Sequence, residues 1–172
     1  IYWIADNGQV LSSNFAQTSA DDQGGAIYWA KDNGNVSSCN FYRSLAHTGG
    51  AIFWAGNSGE VSDSTFDTTN AEQAGAMILY GSGIKVTQCD FNNNHADNVA
   101  GAIYSASMLN ITGSKLNNNS AHGAGAILNA GVLNVVKSTL NCNNAVLGGA
   151  IYNNHELKII NSMAQAGGLD PL

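Results

Sequence analysis

The stretch Gly25-Ala26-Ile27-Tyr28 recurs along the chain at a nearly constant interval. Close copies begin at Gly50, Gly75, Gly101, Gly125 and Gly149, and Ile1-Tyr2 matches the second half of another copy. The alanines of the six complete copies stand at positions 26, 51, 76, 102, 126 and 150, which are 24 to 26 residues apart. A period of this length is typical of stacked repeats that contact only their neighbours. The 172 residues are therefore predicted to form one rod-like domain.

Four further columns of similar residues run through the repeat, and we predict that they line the interior. A branched residue follows each copy: Val10, Val36, Val61, Val86, Ile111, Val135 and Ile159. Three positions later comes a small residue: Ser13, Cys39, Ser64, Cys89, Ser114, Ser138 and Ser162. Two positions after that comes a large apolar residue: Phe15, Phe41, Phe66, Phe91, Leu116 and Leu140. An alanine stands five residues further on: Ala20, Ala46, Ala71, Ala96, Ala121 and Ala145.

The spacing of apolar residues favours strands over helices. Short segments rich in Ile, Val, Phe and Tyr alternate with Gly, Asn, Asp and Ser, and Asp32-Asn33-Gly34 is a typical turn sequence. About three strands per repeat, stacked in register, predict an all-β, right-handed parallel β-helix of about seven coils. We expect this domain to span residues 1–165, with residues 166–172 forming an exit segment. The glycine before each alanine is expected at a corner where a Cβ would clash.

The orientation of two neighbouring columns is open at this stage. We favour the Ile column inside and the aromatic column of Tyr28 and Phe53 as an outer ladder. Trp3, Trp29 and Trp54 form the next column. If they point outward, they make an aromatic binding strip for sugars or partner proteins, and if inward they belong to the core. Successive strand residues face opposite sides, so an inward Tyr28 implies an outward Trp29 and the reverse.

A polar column predicts hydrogen bonding from coil to coil. It follows the large apolar column by three residues: Thr18, Ser44, Thr69, Asn94, Asn119 and Asn143. Stacked asparagines form such ladders without any ligand. Cys39 and Cys89 share one position two repeats apart, and thus about 10 Å apart, which is too far for a disulfide. We expect three free thiols.

The motifs Gly-Gly-Ala-Ile (Gly24–Ile27) and Phe-x-x-Asn (Phe91–Asn94) resemble the polymorphic membrane protein and adhesin-like β-helix repeats. Such repeats occur on bacterial and archaeal cell surfaces and in chlamydial autotransporters. The resemblance extends over essentially the whole chain, although Phe-x-x-Asn is complete only once. It implies an extracellular solenoid that serves adhesion or surface structure.

Composition limits the alternatives. The formal net charge is −6 and the six Lys and Arg residues are dispersed, which argues against nucleic acid as a partner. No apolar run has the length of about 20 residues that a membrane-spanning helix needs. A glycosidase needs two carboxylates at a spacing that adjacent coils could supply. One candidate pair is Asp6 with Asp32. The other is Glu72 with Asp97, in the turn that also carries Asp21 and Asp22. We expect turn capping at Asp6 and Asp32 instead, and surface positions for His47, His95, His122 and His155.

The sequence therefore predicts a non-enzymatic, extracellular, adhesin-like β-helix, with no catalytic residues, metal or cofactor. Its expected partners are glycans or proteins on a host or neighbouring cell. One alternative is a solenoid that pairs end to end with copies of itself as a filament or sheath. Another is a carbohydrate-active enzyme with Asp6, Asp32 and Glu72 as candidate residues. An ice-binding face fits poorly because no Thr-x-Thr ladder repeats.

Overall fold

A computed structural model describes residues 1–165, and these form a parallel β-solenoid. Four sheets, named A to D, run along its length, with strands numbered in chain order. Sheet A contains β1 (Tyr2–Trp3), β4 (Ile27–Trp29), β8 (Ile52–Trp54), β12 (Met77–Leu79), β16 (Ile103–Ser105), β20 (Ile127–Asn129) and β24 (Ile151–Asn153). Sheet B contains β2 (Gln9–Leu11), β5 (Asn35–Ser37), β9 (Glu60–Ser62), β13 (Ile84–Thr87), β17 (Leu109–Thr112), β21 (Val132–Val136) and β25 (Glu156–Ile160).

The other two sheets complete each coil. Sheet C contains β3 (Asn14–Ala16), β6 (Asn40–Tyr42), β10 (Thr65–Asp67), β14 (Asp90–Asn92), β18 (Lys115–Asn117), β22 (Thr139–Asn141) and β26 (Met163–Gln165). Sheet D contains β7 (Leu45–Ala46), β11 (Asn70–Ala71), β15 (His95–Ala96), β19 (Ser120–Ala121) and β23 (Asn144–Ala145). The expected parallel β-helix of about seven coils is confirmed, and the proposed exit segment 166–172 lies outside the described residues.

Most coils have four strands where about three were expected. The additional strands belong to sheet D, and each has only two residues, such as His95–Ala96. Polar and small residues dominate these strands, so they lack the branched and aromatic residues by which strands are recognised in a sequence. They form because stacking places equivalent backbones side by side, as in the pairing of Asn70 with His95.

The predicted interior columns are confirmed in the central coils, whereas Ile159 in the last described coil is 51% exposed. The side chains of Val36, Phe66 and Ile111 are fully buried, and the phenyl rings of Phe41, Phe66 and Phe91 form one file with ring centroids 4.7 Å apart. The Ile column also faces inward, since Ile27 and Ile52 are fully buried in the same core. The corner glycines permit this stacking: a Cβ on Gly75 would overlap the carbonyl oxygen of Gly101 in the next coil.

The expected polar ladder is confirmed as a chain of buried hydrogen bonds. The Oδ1 of Asn94 accepts two hydrogen bonds from Thr69, one from its backbone N–H at 2.9 Å and one from its side-chain hydroxyl. The Nδ2 of Asn94 donates to the Oδ1 of Asn119 at 2.9 Å, and Asn119 is bound to Asn143 in the same way. These bonds satisfy polar groups that would otherwise be costly to bury.

Candidate functional site

The three tryptophans lie on the core side of sheet A. Trp29 and Trp54 are fully buried and stack at 4.8 Å, and Trp3 is partly buried against the same core. Because Ile27 points inward, alternation along β4 brings Trp29 inward as well and turns Tyr28 outward. The outward strip is therefore wrong for Trp29 and Trp54, whose indoles cannot reach a ligand at the surface.

The turn after each tryptophan explains how the core holds so large a ring. A Cβ on Gly34 or Gly59 would overlap the indole of Trp29 or Trp54. In the later coils Trp gives way to Leu79, Ser105, Asn129 and Asn153, and the glycine column becomes Ile84, Leu109, Leu133 and Leu157. In these coils the space that the indole occupies is filled by the Ile or Leu side chain that stands in place of the glycine, on the other side of the turn.

The outer surface of sheet A carries the aromatic strip that the tryptophans do not provide. Tyr28 stacks on Tyr2 at 4.7 Å and on Phe53 at 5.0 Å. Tyr80 lies beside this column, with its ring 5.4 Å from Phe53 and 6.0 Å from Tyr104. We call the set Tyr28, Phe53, Tyr80 and Tyr104 the aromatic face. Tyr80 is 46% exposed, whereas Phe53 is only 7% exposed.

No sequence pattern marks Tyr80 as part of this surface. It follows β12 at a position where other coils have Ala30, Ala55, Ala106 and Ala130, so it belongs to none of the apolar columns. Burial, with a smaller contribution from Tyr80, raises the pKa of Tyr104. A tyrosine phenol, protonated at neutral pH even at its ordinary pKa, can both donate and accept a hydrogen bond.

A hollow of about 390 Å³ borders this surface. Tyr2, Tyr28, Asp22, Gln23 and Ala20 line it. A carboxylate and an amide thus stand next to stacked aromatic rings. Aromatic rings beside a few hydrogen-bonding groups make a surface that can hold a polar ligand with apolar faces.

A groove of about 540 Å³ crosses sheet D and contains several predicted candidates. It brings together Asp21, Glu72 and Asp97 with His47 and His95. His47 Nδ1 is 2.9 Å from Glu72 Oε2, and His95 Nε2 is 3.4 Å from Asp97 Oδ1. The side chains of these four residues are 44% to 71% exposed. The expected surface positions of His47 and His95 are confirmed, although His95 lies in strand β15. Within residues 1–165, no group of three or more His, Cys, Asp or Glu is arranged to hold a metal ion.

The carboxylates of Asp6 and Asp32 cap backbone N–H groups, but not those of their own turns as the sequence predicts. Asp6 Oδ1 accepts a bond from the backbone N–H of Asp32 at 3.0 Å, and Asp32 Oδ1 accepts one from Asn57 at 2.7 Å. Each carboxylate therefore caps the following coil rather than its own turn. The two other histidines, His122 and His155, are exposed.

All three cysteines are free, as expected: Cys39 and Cys89 are buried, and Cys142 is exposed. No helix in the described part of the chain could cross a membrane.

Comparison with known proteins adds one finding. No curated protein and no solved structure matches the chain. Residues 88–106 match the sequence model of the Chlamydia polymorphic membrane protein (Chlamydia_PMP) repeat. That segment holds Phe91 in the core, Asn94 in the ladder, Gly101 at the corner and Ile103 in sheet A. The resemblance to polymorphic membrane protein repeats is thereby confirmed for this segment, whose structural positions recur in the neighbouring coils.

Proposed function

We propose that this chain is a non-enzymatic, adhesin-like solenoid of the cell surface that uses its aromatic face to bind a saccharide. The observation that carries the surface role is the match of residues 88–106 to the polymorphic membrane protein repeat, a family associated with the outer membrane and cell surface. The coil that contains this match has the same four-sheet plan as its neighbours.

A saccharide suits the aromatic face for chemical reasons. Sugar rings combine apolar faces with rings of hydroxyl groups, and tyrosine offers an apolar ring with a polar tip. The adjoining hollow adds the Asp22 carboxylate and the Gln23 amide, which accept and donate hydrogen bonds. With a net charge of −6, the chain suits a neutral glycan better than a sulfated or sialylated one.

The surface role can be tested on cells of the source organism. Antibodies against the purified solenoid should label intact cells, and protease added outside should remove the label. Label that appears only after permeabilisation would contradict the surface role.

The binding role can be tested by comparing two tyrosine variants on a glycan panel. Tyr80→Ala should reduce binding of neutral glycans roughly tenfold, because it removes an exposed ring of the aromatic face. Four other coils already have alanine at this position, so the fold should tolerate it.

Tyr42→Ala is the matched control. Tyr42 is 37% exposed on the outer face of sheet C, and Ala16 occupies its register position in the first coil. Equal losses in both variants, or binding of anionic glycans only, would rule out the aromatic face as the saccharide site. Retention on cells that persists after the glycans are removed would indicate a protein ligand instead.

A further inference from the structure

The sequence contains three Asn-x-Ser/Thr triplets: Asn35-Val36-Ser37, Asn110-Ile111-Thr112 and Asn118-Asn119-Ser120. Such a triplet is the acceptor signal for N-linked glycosylation. We propose that Asn118 is an N-glycan acceptor of this protein, and that the folded chain carries no glycan at Asn35 or Asn110.

The two excluded asparagines lie within sheet B. Asn35 is half-buried in β5, and its Oδ1 atom is buried. Asn110 is half-buried in β17, and its Oδ1 accepts a hydrogen bond from the Nδ2 of Asn134 at 2.9 Å. Neighbouring strands lie about 4.8 Å away on either side. A glycan at either residue would have to displace the side chains of the adjacent coils.

Asn118 lies in a different environment, at the corner between β18 and β19. Its side chain is exposed, and its φ of 56° belongs to the left-handed region. Equivalent corners of other coils adopt the same conformation at Gln17, Arg43, Thr68, Asn93 and Cys142. The backbone N–H of Asn118 bonds to the carbonyl oxygen of Asn141 at 3.0 Å. A sugar on the side-chain nitrogen leaves that stacking bond intact.

The reaction requires a sugar activated as a lipid-linked or nucleotide-linked diphosphate. The Nδ2 of Asn118 forms a bond to the anomeric carbon, and the bond from that carbon to the diphosphate oxygen breaks. The amide nitrogen gives up one proton, and the diphosphate departs with the bonding electrons. The glycan lies away from the aromatic face, since the corner separates sheets C and D.

This inference goes beyond the proposed function and depends on it only in that such transfer occurs on exported chains. The test supplies export directly. The chain is produced with an added export signal in a secretory host that glycosylates Asn-x-Ser/Thr. The mass of the folded product is measured before and after enzymatic removal of N-glycans. We expect one glycan per chain, complete loss in Asn118→Gln, and the same loss in Ser120→Ala.

The variants are chosen so that the fold survives. Gln17 already occupies the Asn118 corner in the first coil with a φ of 56°. The matched controls Ser37→Ala and Thr112→Ala should keep the glycan. An unmodified folded product, or a glycan that persists in Asn118→Gln, would overturn the inference. Because the export signal is supplied, either result is independent of whether the native chain reaches a surface.

Discussion

The column of small residues that contains Ser64 and Cys89 shows how one side chain can replace another without changing the coil. Ser64 and Ser114 each accept a hydrogen bond from the backbone N–H of the preceding coil, at 3.0 Å from Cys39 and 3.1 Å from Cys89. The hydroxyl of Ser64 also donates to the carbonyl oxygen two residues earlier, at 2.7 Å, and the thiol of Cys89 makes the equivalent bond to Thr87 at 3.3 Å. Small size is the shared requirement, because the column is buried between sheets B and C.

The thiol of Cys89 predicts a loss of stability at high pH. Burial raises its pKa from 9.0 to about 12. Between these values the unfolded chain binds fewer protons than the folded chain, so the free energy of unfolding falls as pH rises. Between about pH 10 and about pH 11 it should fall by roughly 1 kcal/mol per pH unit more than in Cys89→Ser. Urea unfolding at each pH measures the difference, and parallel curves for the two proteins would contradict the prediction.

The turns between sheets A and B show how an element compensates for changes in its neighbour. Trp54 packs over Gly59 in one coil, and in the next coil Leu79 and Ile84 occupy the equivalent positions and are both fully buried. The two positions are five residues apart in both coils, so the turn keeps its length. A tryptophan packed over a glycine and a leucine with an isoleucine therefore fill the same volume in the core.

This equivalence can be tested with a double-mutant cycle. Trp54→Leu alone leaves a cavity and should cost about 3 kcal/mol of unfolding free energy. Gly59→Ile alone should also destabilise, because its side chain would overlap the indole. The double variant reproduces the Leu79–Ile84 pair, so its loss should be smaller than the sum by about 2 kcal/mol. Circular dichroism during urea unfolding gives these values. Strictly additive losses would show that the two positions do not share one space.

The repeat period allowed most of the coil to be predicted, because in-register stacking forces equivalent residues into contact. The Phe file, the Asn94 ladder and the corner glycines all followed from that one property. The alternation of side chains along a strand, however, fixes only whether two residues face the same side. It therefore cannot predict whether Ile27 and Trp29 together face the core or the solvent. Tyr80 could not be predicted because it interrupts a column of alanines, and its contacts with Phe53 and Tyr104 arise only from the turn geometry.

At the scale of the whole molecule, each strand within residues 1–165 pairs with the equivalent strands of the adjacent coils and with no others in that range. Stability should therefore behave as a sum of coil and nearest-neighbour contributions. Phe66 and Phe91 are in direct contact, whereas Phe41 and Phe91 are separated by Phe66. Leucine occupies the same column in later coils as Leu116 and Leu140, so Phe→Leu changes preserve the fold.

Two double-mutant cycles measure the range of this coupling. Phe66→Leu with Phe91→Leu should show an interaction energy of about 1 kcal/mol, because both substitutions remove the same stacked contact. Phe41→Leu with Phe91→Leu should be additive within about 0.5 kcal/mol, since no contact is shared. Urea unfolding of the six proteins involved, including the wild type, supplies both values. An equally large interaction energy for the separated pair would mean that the phenyl file acts as one cooperative core along the rod, and the nearest-neighbour description would fail.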